Sequence, residues 1–565
     1  MITDAELSEA LRRYWGYAAF RPLQGKVVRS LLEGHDTCVV MPTGGGKSLC
    51  YQLPAALLGG KTAIVVSPLI ALMQDQIAQL AQMGIPAALL NSSLAHQQQS
   101  QIMRRACEGA YRLLYLSPER IARADTPAWL AQVPVSFFAI DEAHCISEWG
   151  PEFRPDYRQL SALRLNFPER PLAAFTASAT RTVRHDIIEQ LRMRDPHKYI
   201  ASFHRPNLRY VVKLCENREQ QGLLVSALRH HAGSNVIVYA PTIARVEETV
   251  EHLAEQGIAA LPYHGRMDAG ARRENQERWM ADEVPVLVGT LAFGLGINKA
   301  AVRAVIHLAL PKSIEQYYQE AGRAGRDGLA ADCLLLWQQR DAALLAHFIK
   351  ELSDPAETSR AWQRYRDIRN FAEGRICRHR RICTHFGEST KWQSCAACDI
   401  CTGEPEWLAQ AGDSERPRGT NRPGGRGGRS PVRPAVAVGS AARPQAAKPG
   451  SVAASAAPAS PAPAANPELR EYLRQWRREA ATRQGVPAFI VMYDSTLEEV
   501  CRVLPRSLHE IRRISGFGER KTETYGQLIL DALQRFRNGE RAREEQPKLR
   551  SSGRKRALPA VPFSV

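Results

Sequence analysis

Short apolar runs alternate with helical patterns of hydrophobic and polar residues over the first 340 residues of the chain. Continuous apolar runs bounded by polar or glycine-rich segments are typical of strands that are buried on both faces of a parallel sheet. Regular alternation of such strands with helices predicts α/β layers around parallel sheets. We predict strands at residues 37–41, 62–66, 113–116, 137–140, 172–175, 235–239, 284–288 and 304–308.

The chain has 565 residues, which is too long for a single hydrophobic core. A break near residues 200–210 would divide the α/β region into two lobes. Residues 406–465 are dominated by Ala, Pro, Gly, Ser and Arg, which favours a disordered linker because little apolar surface can be buried. The predicted parts are lobe 1 at 1–205, lobe 2 at 206–340, a helical subdomain at 341–405, the linker at 406–465, a small all-helical domain at 466–540 and a basic tail at 541–565.

A glycine-rich turn follows the first predicted strand and precedes a helical pattern. Its backbone N–H groups are suited to phosphate oxygens. Lys47 would place a point charge on the β- and γ-phosphates, and Ser48 would offer its hydroxyl to Mg²⁺. Met41 stands where the general phosphate-loop pattern has glycine, so the match is to a variant of that pattern. The candidate phosphate-binding residues are Thr43, Gly44, Gly45, Gly46, Lys47 and Ser48.

Two adjacent acids, Asp141 and Glu142, end the apolar run at residues 137–140. Ligands of parallel α/β sheets bind at the carboxyl ends of the strands, so both acids should face a nucleotide. Asp141 would hold Mg²⁺ through one oxygen and ordered water. Glu142 would orient and deprotonate the water that attacks the γ-phosphate.

Further nucleotide contacts are predicted before the first strand and in the second lobe. The amide of Gln24 suits the N6/N7 edge of adenine, Tyr17 would stack on the base, and Arg21 belongs to the same segment. Arg323 and Arg326 are three residues apart on a helical pattern, and guanidinium groups suit a transferring phosphoryl group. We assign Arg326 as an arginine finger and Arg323 as a γ-phosphate contact.

The formal net charge is +17 and the pI is about 9.5, which indicates a polyanionic partner, most simply nucleic acid. The first residues lack the continuous apolar segment of a secretory signal, and no run of 18 apolar residues predicts a membrane span. A cytoplasmic, bacterial nucleoid-associated protein is expected. The basic sequence at 553–556 would instead read as a nuclear signal in a eukaryote.

Four cysteines follow the pattern C-x17-C-x2-C-x2-C, at Cys377, Cys395, Cys398 and Cys401. Thiolates at C-x2-C spacing converge readily on a tetrahedral Zn²⁺, and an iron–sulfur cluster is the alternative. A site filled by four protein ligands would be structural. Spare candidate ligands nearby are Cys383, His379 and His385, the last more simply a locally hydrogen-bonded residue.

These motifs occur in an order that resembles a RecQ-family DNA helicase of superfamily 2. The series is FRPLQ, MPTGGGKS, SPLIALMQDQ, DEAH, TASAT, FGLGINK and QEAGRAGRDG. The resemblance implies two RecA-like lobes with ATP in the cleft between them and translocation 3′→5′ along single-stranded DNA. It also implies a RecQ zinc-binding subdomain at the cysteines. Full-length members commonly have a winged-helix domain after the zinc site, where this chain has only the low-complexity linker, so we expect that domain to be absent.

The segment after the acids resembles the aromatic-rich loop of the family, which implies that it senses DNA. Its candidate DNA-binding residues are Trp149, Phe153, Arg154 and Tyr157, and its departures from the family pattern are Glu148, Pro151 and Glu152. Residues 467–537 resemble an HRDC domain, in which Lys521 would meet a DNA phosphate. The alternative for this region is a small helical bundle that mediates protein contacts.

The sequence therefore predicts an ATP-dependent DNA helicase that uses ATP, Mg²⁺ and Zn²⁺ and acts in DNA repair or recombination. Its expected partners are single-stranded, forked or duplex DNA, with single-stranded-DNA-binding protein and repair factors as further candidates. Three alternatives stay open. They are a DNA-stimulated ATPase, translocase or annealing factor with weak unwinding, a DNA-binding scaffold with an inactive motor, and an RNA helicase.

Overall fold

The computed structural model of the chain describes residues 2–91, 94–150, 153–290, 299–408, 466–486 and 488–542. The linker predicted at 406–465 and the basic tail predicted at 541–565 lie almost entirely outside these residues. Most of the FGLGINK motif and two residues of the aromatic segment, Pro151 and Glu152, also lie outside them.

Seven strands of the first lobe pair in parallel to form one sheet. They are β1 (Thr37–Val40), β2 (Thr62–Val66), β3 (Ala87–Leu90), β4 (Leu113–Leu116), β5 (Val135–Ile140), β6 (Leu172–Thr176) and β7 (His197–Ile200). Their order across the sheet is β3-β4-β2-β5-β6-β1-β7. The apolar runs predict the five central strands but not the edge strands β3 and β7, which are both partly exposed; β3 is a short apolar run of four residues, and β7 is largely polar.

A second parallel sheet forms the next lobe. Its strands are β8 (Leu208–Leu214), β9 (Asn235–Tyr239), β10 (Ala260–Tyr263), β11 (Val286–Gly289), β12 (Val302–His307) and β13 (Ala331–Trp337), in the order β10-β11-β9-β12-β13-β8. The sequence predicts β9, β11 and β12. It misses β13 although every residue of that strand is buried, because a short apolar run alone does not distinguish a strand from a buried helix.

Helices cover both sheets and form the remaining parts. In the first lobe they are α1 (Asp4–Trp15), α2 (Gln24–Leu32), α3 (Lys47–Leu57), α4 (Ile70–Gln82), α5 (His96–Cys107), α6 (Pro118–Ile121), α7 (Thr126–Leu130), a 3₁₀ turn (Ala143–Ile146), α8 (Pro155–Arg158), α9 (Ser161–Asn166) and α10 (Arg181–Gln190). In the second lobe they are α11 (Asn217–His230), α12 (Ile243–Glu255), α13 (Ala269–Met280) and α14 (Ile314–Ala321). The helical subdomain has α15 (Gln339–Lys350), α16 (Pro355–Glu373), α17 (Arg378–His385) and α18 (Asp399–Thr402), and the C-terminal domain has α19 (Pro467–Gln484), α20 (Ala488–Val491), α21 (Asp494–Val503), α22 (Leu508–Arg513) and α23 (Glu519–Arg537).

The first sheet separates two apolar layers, as strand periodicity requires. Phe137 and Phe138 are neighbours on β5, yet Phe137 packs with Tyr51 and Phe175 on one face while Phe138 joins Tyr157 on the other. Burial of each such ring contributes roughly 1.5–3 kcal/mol. The acids that follow β5 are therefore held by a strand anchored on both faces.

The C-terminal helical domain has an apolar core of its own and packs against α1 and α4 of the first lobe. Glycine is required at this contact. Gly16 has a φ of +68°, and a Cβ atom there would lie 2.5 Å from the carbonyl carbon of Phe517. A Cβ atom at Gly518 would lie 2.6 Å from the carbonyl oxygen of Arg13. None of the described helices is long and apolar enough to cross a membrane.

Candidate nucleotide cleft and metal centre

A cleft of about 500 Å³ lies where the ends of β1 and β5 face the second lobe. This volume is within the usual range of small-molecule sites. The predicted residues that line it are Tyr17, Arg21, Gln24, Thr43, Gly44, Gly46, Lys47, Ser48, Asp141, Glu142, Arg323 and Arg326. Residues from both lobes therefore come together at one site.

The glycine-rich turn adopts backbone conformations that suit glycine. Gly44 and Gly46 have φ values of +82° and +80°, in the left-handed region where a side chain is strained. Between them, the N–H of Gly45 donates to the carbonyl oxygen of Pro42 at 2.9 Å. The Arg326 side chain packs on the turn, since a Cβ atom at Gly44 would lie 3.4 Å from its Cγ.

Lys47 and Ser48 begin helix α3, whose N-terminus favours anions. The Lys47 ammonium donates to the carbonyl oxygen of Met41 at 3.3 Å. The Ser48 hydroxyl accepts a 3.3 Å hydrogen bond from the Gln76 amide. Both side chains are thus positioned by the first lobe before any ligand binds.

Asp141 is buried, with 4% of its surface exposed, and its carboxylate accepts from the N–H of Glu142 at 3.0 Å. Burial, and then the charge of Glu142, raises the pKa of Asp141 to about 7, against the opposing effect of Lys47. Glu142 has a φ of +47°, and such strain at a residue that is not glycine is typical of functional sites. Its carboxylate lies 3.4 Å from Nδ1 of His144.

A polar chain connects the acids to the second lobe. Nδ1 of His144 lies 2.9 Å from the Thr176 hydroxyl. The amide of Gln319 on α14 donates to the Ser178 hydroxyl at 2.8 Å and lies 3.4 Å from Nε2 of His144. Sequence reasoning gives no role to His144 or Gln319, although both stand inside motifs that it singles out.

Arg323 is buried and Arg326 is partly buried, and a third arginine, Arg205, lies beside them. Burial, and then the charges of Arg323 and Arg205, lowers the pKa of Arg326 to about 9. Arg205 donates to the carbonyl oxygens of Thr43 at 3.0 Å and Ala324 at 3.2 Å, which joins the phosphate loop to the arginine segment. Sequence reasoning misses Arg205, because it belongs to no motif and only the fold brings it to the cleft.

The Gln24 side chain is hydrogen-bonded to the backbone of the phosphate loop and of Arg21, so its amide is not free to face the cleft. Its Oε1 accepts from the N–H of Arg21 at 2.8 Å, and its Nε2 donates to the carbonyl oxygens of Gly45 and Gly46 at 3.2 Å each. An adenine contact at Gln24 would require an exchange of these bonds. Tyr17 lines the cleft beside it, partly buried.

The four cysteines of the predicted metal site come together, and all their Sγ atoms lie within 4.8 Å of one another. Sγ of Cys395 lies 3.9 Å from that of Cys401, and Sγ of Cys398 lies 4.0 Å from that of Cys377. A tetrahedral zinc with Zn–S bonds of about 2.3 Å gives S–S separations of about 3.8 Å, so the arrangement fits zinc.

The other candidate zinc ligands, His379, His385 and Cys383, are not part of the thiol cluster. Nε2 of His379 lies 2.9 Å from the carbonyl oxygen of Leu208, and Nε2 of His385 lies 2.7 Å from the Glu315 carboxylate. Cys383 is buried and is not one of the four clustered thiols.

The comparisons with known proteins agree with this geometry. The chain matches the DEAD/DEAH box helicase family over residues 21–186, the helicase conserved C-terminal domain over 219–328, the RecQ zinc-binding domain over 339–402 and the HRDC domain over 466–533. The ATP-dependent DNA helicase RecQ of Haemophilus influenzae is 34% identical over 93% of this chain and 95% of its own length. The chain belongs to the RecQ family of ATP-dependent DNA helicases. The RecQ protein of Bacillus subtilis is also 34% identical, over 93% of this chain and 98% of its own length.

Solved structures share the fold at low identity. Mss116p bound to single-stranded RNA and AMP-PNP has a TM-score of 0.50 and 17% identity, over 63% of this chain and 75% of that one. MrfA bound to DNA has a TM-score of 0.50 and 18% identity, over 62% and 54%. The prediction of two RecA-like lobes is confirmed for this RecQ-family chain.

The aromatic segment of this RecQ-family protein divides into exposed and buried parts. Trp149 is 55% exposed, with the Arg360 guanidinium 5.8 Å from its ring centre, and Phe153 is partly buried with Arg158 at 5.5 Å. Tyr157 is fully buried, so the prediction that it contacts DNA does not fit its position in this structure.

The Tyr157 hydroxyl instead donates to the main-chain oxygen of Asp141 at 2.9 Å. The N–H of Arg154 donates to the carbonyl oxygen of Cys145 at 2.9 Å, and the Arg154 side chain is partly exposed. The aromatic segment is therefore bonded directly to the residues around the acids.

Lys521 lies on the first turn of α23, but only 7% of its surface is exposed, and it lines the nucleotide cleft. Its ammonium lies 5.7 Å from the ring centre of Tyr493. The prediction that Lys521 meets a DNA phosphate does not fit this buried position.

Proposed function

We propose that this RecQ-family chain couples ATP hydrolysis to 3′→5′ movement along single-stranded DNA and to duplex unwinding in DNA repair or recombination. One observation carries the proposal. Asp141 and Glu142 of the first lobe and Arg323 and Arg326 of the second line the same cleft as the phosphate loop. A nucleotide in that cleft would be held from both sides, so its hydrolysis would change how the lobes approach each other.

The first lobe would bind the triphosphate. The backbone N–H groups of the glycine turn and the Lys47 ammonium would hold the phosphate oxygens. Ser48 and Asp141 would hold Mg²⁺, which supplies positive charge next to the β- and γ-phosphates. The raised pKa of Asp141 fits this role, because an ionised carboxylate in the buried cleft needs a cation.

Both lobes would act on the γ-phosphate. Glu142 would take a proton from the attacking water, and the nearby His144 would hold the Glu142 carboxylate in place. Arg326 would place its guanidinium on the transferring group, and Arg323 would contact the γ-phosphate. An arginine finger is worth about 10³–10⁵ in rate.

DNA would be sensed by the segment after the acids. Trp149 and Phe153 would stack on bases, at about 1–3 kcal/mol per base, and Arg154 would meet a phosphate. The bond from Tyr157 to Asp141 would transmit a shift of this segment to the acids.

The four thiolates of Cys377, Cys395, Cys398 and Cys401 would hold Zn²⁺, which supplies a structural cross-link with no open coordination position. We further propose the domain boundaries at residues 205, 340, 405, 465 and 540. The two sheets, which end at Ile200 and begin again at Leu208, support the first of these.

Among partners, DNA is the proposed substrate. Single-stranded-DNA-binding protein and repair factors are the proposed protein partners, and the bacterial nucleoid is the proposed place of action. A direct test of the motor is ATP hydrolysis with and without single-stranded DNA. We expect DNA to stimulate hydrolysis, and Lys47→Ala and Glu142→Gln to abolish it. Unchanged hydrolysis in Lys47→Ala would contradict the proposal, and equal stimulation by RNA would favour an RNA helicase.

A further inference from the structure

The two sheets are joined by a short connector, residues 201–207, which is bonded to the zinc-binding subdomain. The N–H of Phe203 donates to the Glu388 carboxylate at 2.8 Å, and the Phe203 ring stacks on the Phe386 ring with 4.3 Å between their centres. Links between two lobes are usually where hinge movements occur. Here the middle of the connector is attached to a third part of the protein, so the side chains that follow Phe203 start from a defined position.

Arg205 extends from this connector and bonds to both lobes at once. Its Nη1 donates to the carbonyl oxygen of Thr43 in the phosphate loop at 3.0 Å. Its Nη2 donates to the carbonyl oxygens of Ala324 and Gly325 in the second lobe, at 3.2 and 3.1 Å. The guanidinium group is planar, and its two amino ends are a fixed distance apart. One rigid group therefore sets the separation between the phosphate loop and a segment of the opposite lobe.

The acceptors in the second lobe lie between the two arginines that line the cleft. Ala324 and Gly325 separate Arg323 from Arg326, so a displacement of their peptide groups moves both guanidinium groups. Gly325 has a φ of +55°, in the left-handed region that favours glycine. A Cβ atom there would lie 2.5 Å from Nδ2 of Asn207, so this turn depends on glycine for its close contact with the connector.

The position of Arg326 matters because a finger acts only at short range. It contributes about 10³–10⁵ in rate when its guanidinium lies on the transferring phosphoryl group, and a misplacement of about 1 Å can cost about 10²-fold. The phosphates would lie on the loop of the first lobe, whereas Arg326 belongs to the second, and the Arg205 bridge connects these two parts directly. Arg205 itself does not line the cleft, so its effect on hydrolysis would be indirect.

We propose that Arg205 is a positioning residue for ATP hydrolysis, whose guanidinium holds the segment that carries Arg326 at the distance from the phosphate loop that hydrolysis requires. This rests on the proposed function, in which Arg326 acts on the transferring phosphoryl group. Arg205 would contribute through the arginine finger and would not bind the nucleotide. Its loss should therefore lower kcat and leave the affinity for nucleotide unchanged.

The first test measures ATP hydrolysis with saturating single-stranded DNA, and the Kd of AMP-PNP, for the full chain. Arg205→Ala should lower kcat by about 10²-fold, with KM and Kd within about twofold of the wild type. Arg205→Lys keeps the positive charge but has a single nitrogen, which cannot reproduce the two-ended bridge, so its kcat should stay at least about tenfold below the wild type. This second variant carries the test if Arg205→Ala lowers the Tm.

Asn207→Ala is the matched control in the same connector. The Asn207 side chain donates to the carbonyl oxygens of Gly325 and Leu329, at 2.9 Å each, and both acceptors belong to the second lobe. It therefore anchors the same segment but does not take part in the bridge to the phosphate loop. We expect its kcat to stay within about threefold of the wild type. Equal losses in Asn207→Ala and Arg205→Ala would overturn the proposal, because anchoring of the segment alone would then explain the effect.

A double-mutant cycle tests whether Arg205 acts through Arg326. Arg326→Ala alone should lower kcat by about 10³-fold. If Arg205 serves to place that guanidinium, Arg205→Ala/Arg326→Ala should be at most about threefold slower than Arg326→Ala, whereas independent roles would multiply to about 10⁵-fold. Multiplied losses would overturn the proposal. General damage to the fold would also multiply, so this readout separates positioning from a structural defect.

The outcomes separate this inference from the proposed function. Wild-type kcat in Arg205→Ala would overturn the inference alone, provided that Lys47→Ala abolishes hydrolysis. Wild-type kcat in Arg205→Lys would also overturn it, because the charge of Arg205 and not its bridge would then be what matters. A rise in KM and Kd with unchanged kcat would place Arg205 in nucleotide binding and contradict the positioning role. A wild type that does not hydrolyse ATP would contradict both proposals.

Discussion

Replacing Asp141 with Asn should stabilise the nucleotide-free protein while it abolishes ATP hydrolysis. The buried cleft raises the pKa of Asp141 to about 7, so ionisation of this carboxyl opposes folding when no cation is bound. Asn keeps the acceptor for the N–H of Glu142 and removes the charge. The ionised carboxylate of Asp141, which is suited to bind a cation, therefore lowers the free energy of unfolding of the nucleotide-free protein.

The expected gain in the free energy of unfolding follows from the shift in the pKa of Asp141. A displacement from an ordinary value near 4 to about 7 corresponds to an upper limit of about 4 kcal/mol above pH 7. We expect about 2 kcal/mol, because water entering the open cleft screens the charge. The folded-state pKa of this acid is raised, so its penalty is absent below pH 4, grows as pH rises from about 4 to 7 and is constant above. The stabilisation by Asn should follow the same profile.

The assay is thermal unfolding in EDTA without nucleotide, from pH 5 to pH 8, with Asp156→Asn as a control at a partly buried carboxyl. For a lobe of this size about 2 kcal/mol corresponds to a Tm rise of about 4–8 °C at pH 8, which should shrink towards pH 5. Mg²⁺ and ATP should stabilise only the wild type. A Tm gain that does not depend on pH, or no gain, would refute the reasoning.

Three further results are expected. Arg326→Ala should lower kcat for ATP by about 10³-fold with little change in KM, because its charge acts on the transferring phosphoryl group; a KM effect alone would contradict the finger role. Tyr157→Phe removes the buried bond to Asp141, so it should cost about 1 kcal/mol of stability and lower the ratio of DNA-stimulated to basal hydrolysis severalfold; an unchanged ratio would argue against this route. Cys398→Ser should lose bound zinc in a colorimetric release assay, whereas Cys383→Ser should retain it; zinc loss in both would contradict the four-thiolate site.

The central strands and the phosphate loop are predictable from the sequence because their signals are local. Residues 62–66 are a threonine followed by four apolar residues, all are buried, and β2 has these bounds. The edge strand β7 is not predictable in this way, because its polar, exposed residues resemble a loop. The pairing of β7 with β1 depends on the rest of the sheet, and the residues of β7 alone do not indicate it.

The residues of the cleft likewise divide into those that local sequence signals predict and those that only the fold brings together. Motif residues such as Lys47 and Glu142 are found from residue type and position after a strand. The role of Arg205 depends on carbonyl groups from both lobes, and no spacing in the sequence encodes that contact. The residue types of Tyr157 and Lys521 suit DNA, so the sequence predicts DNA contacts for them, and only the packing of neighbouring segments shows that both are buried.

Strand displacement on tailed duplexes tests the central claim most directly. With ATP and Mg²⁺, the chain should release the labelled strand from a duplex with a 3′ single-stranded tail and not from one with a 5′ tail, and Lys47→Ala should release neither. Hydrolysis of ATP stimulated by the 3′-tailed duplex without release of the strand would contradict the account, and would leave a DNA-stimulated translocase or annealing factor in its place.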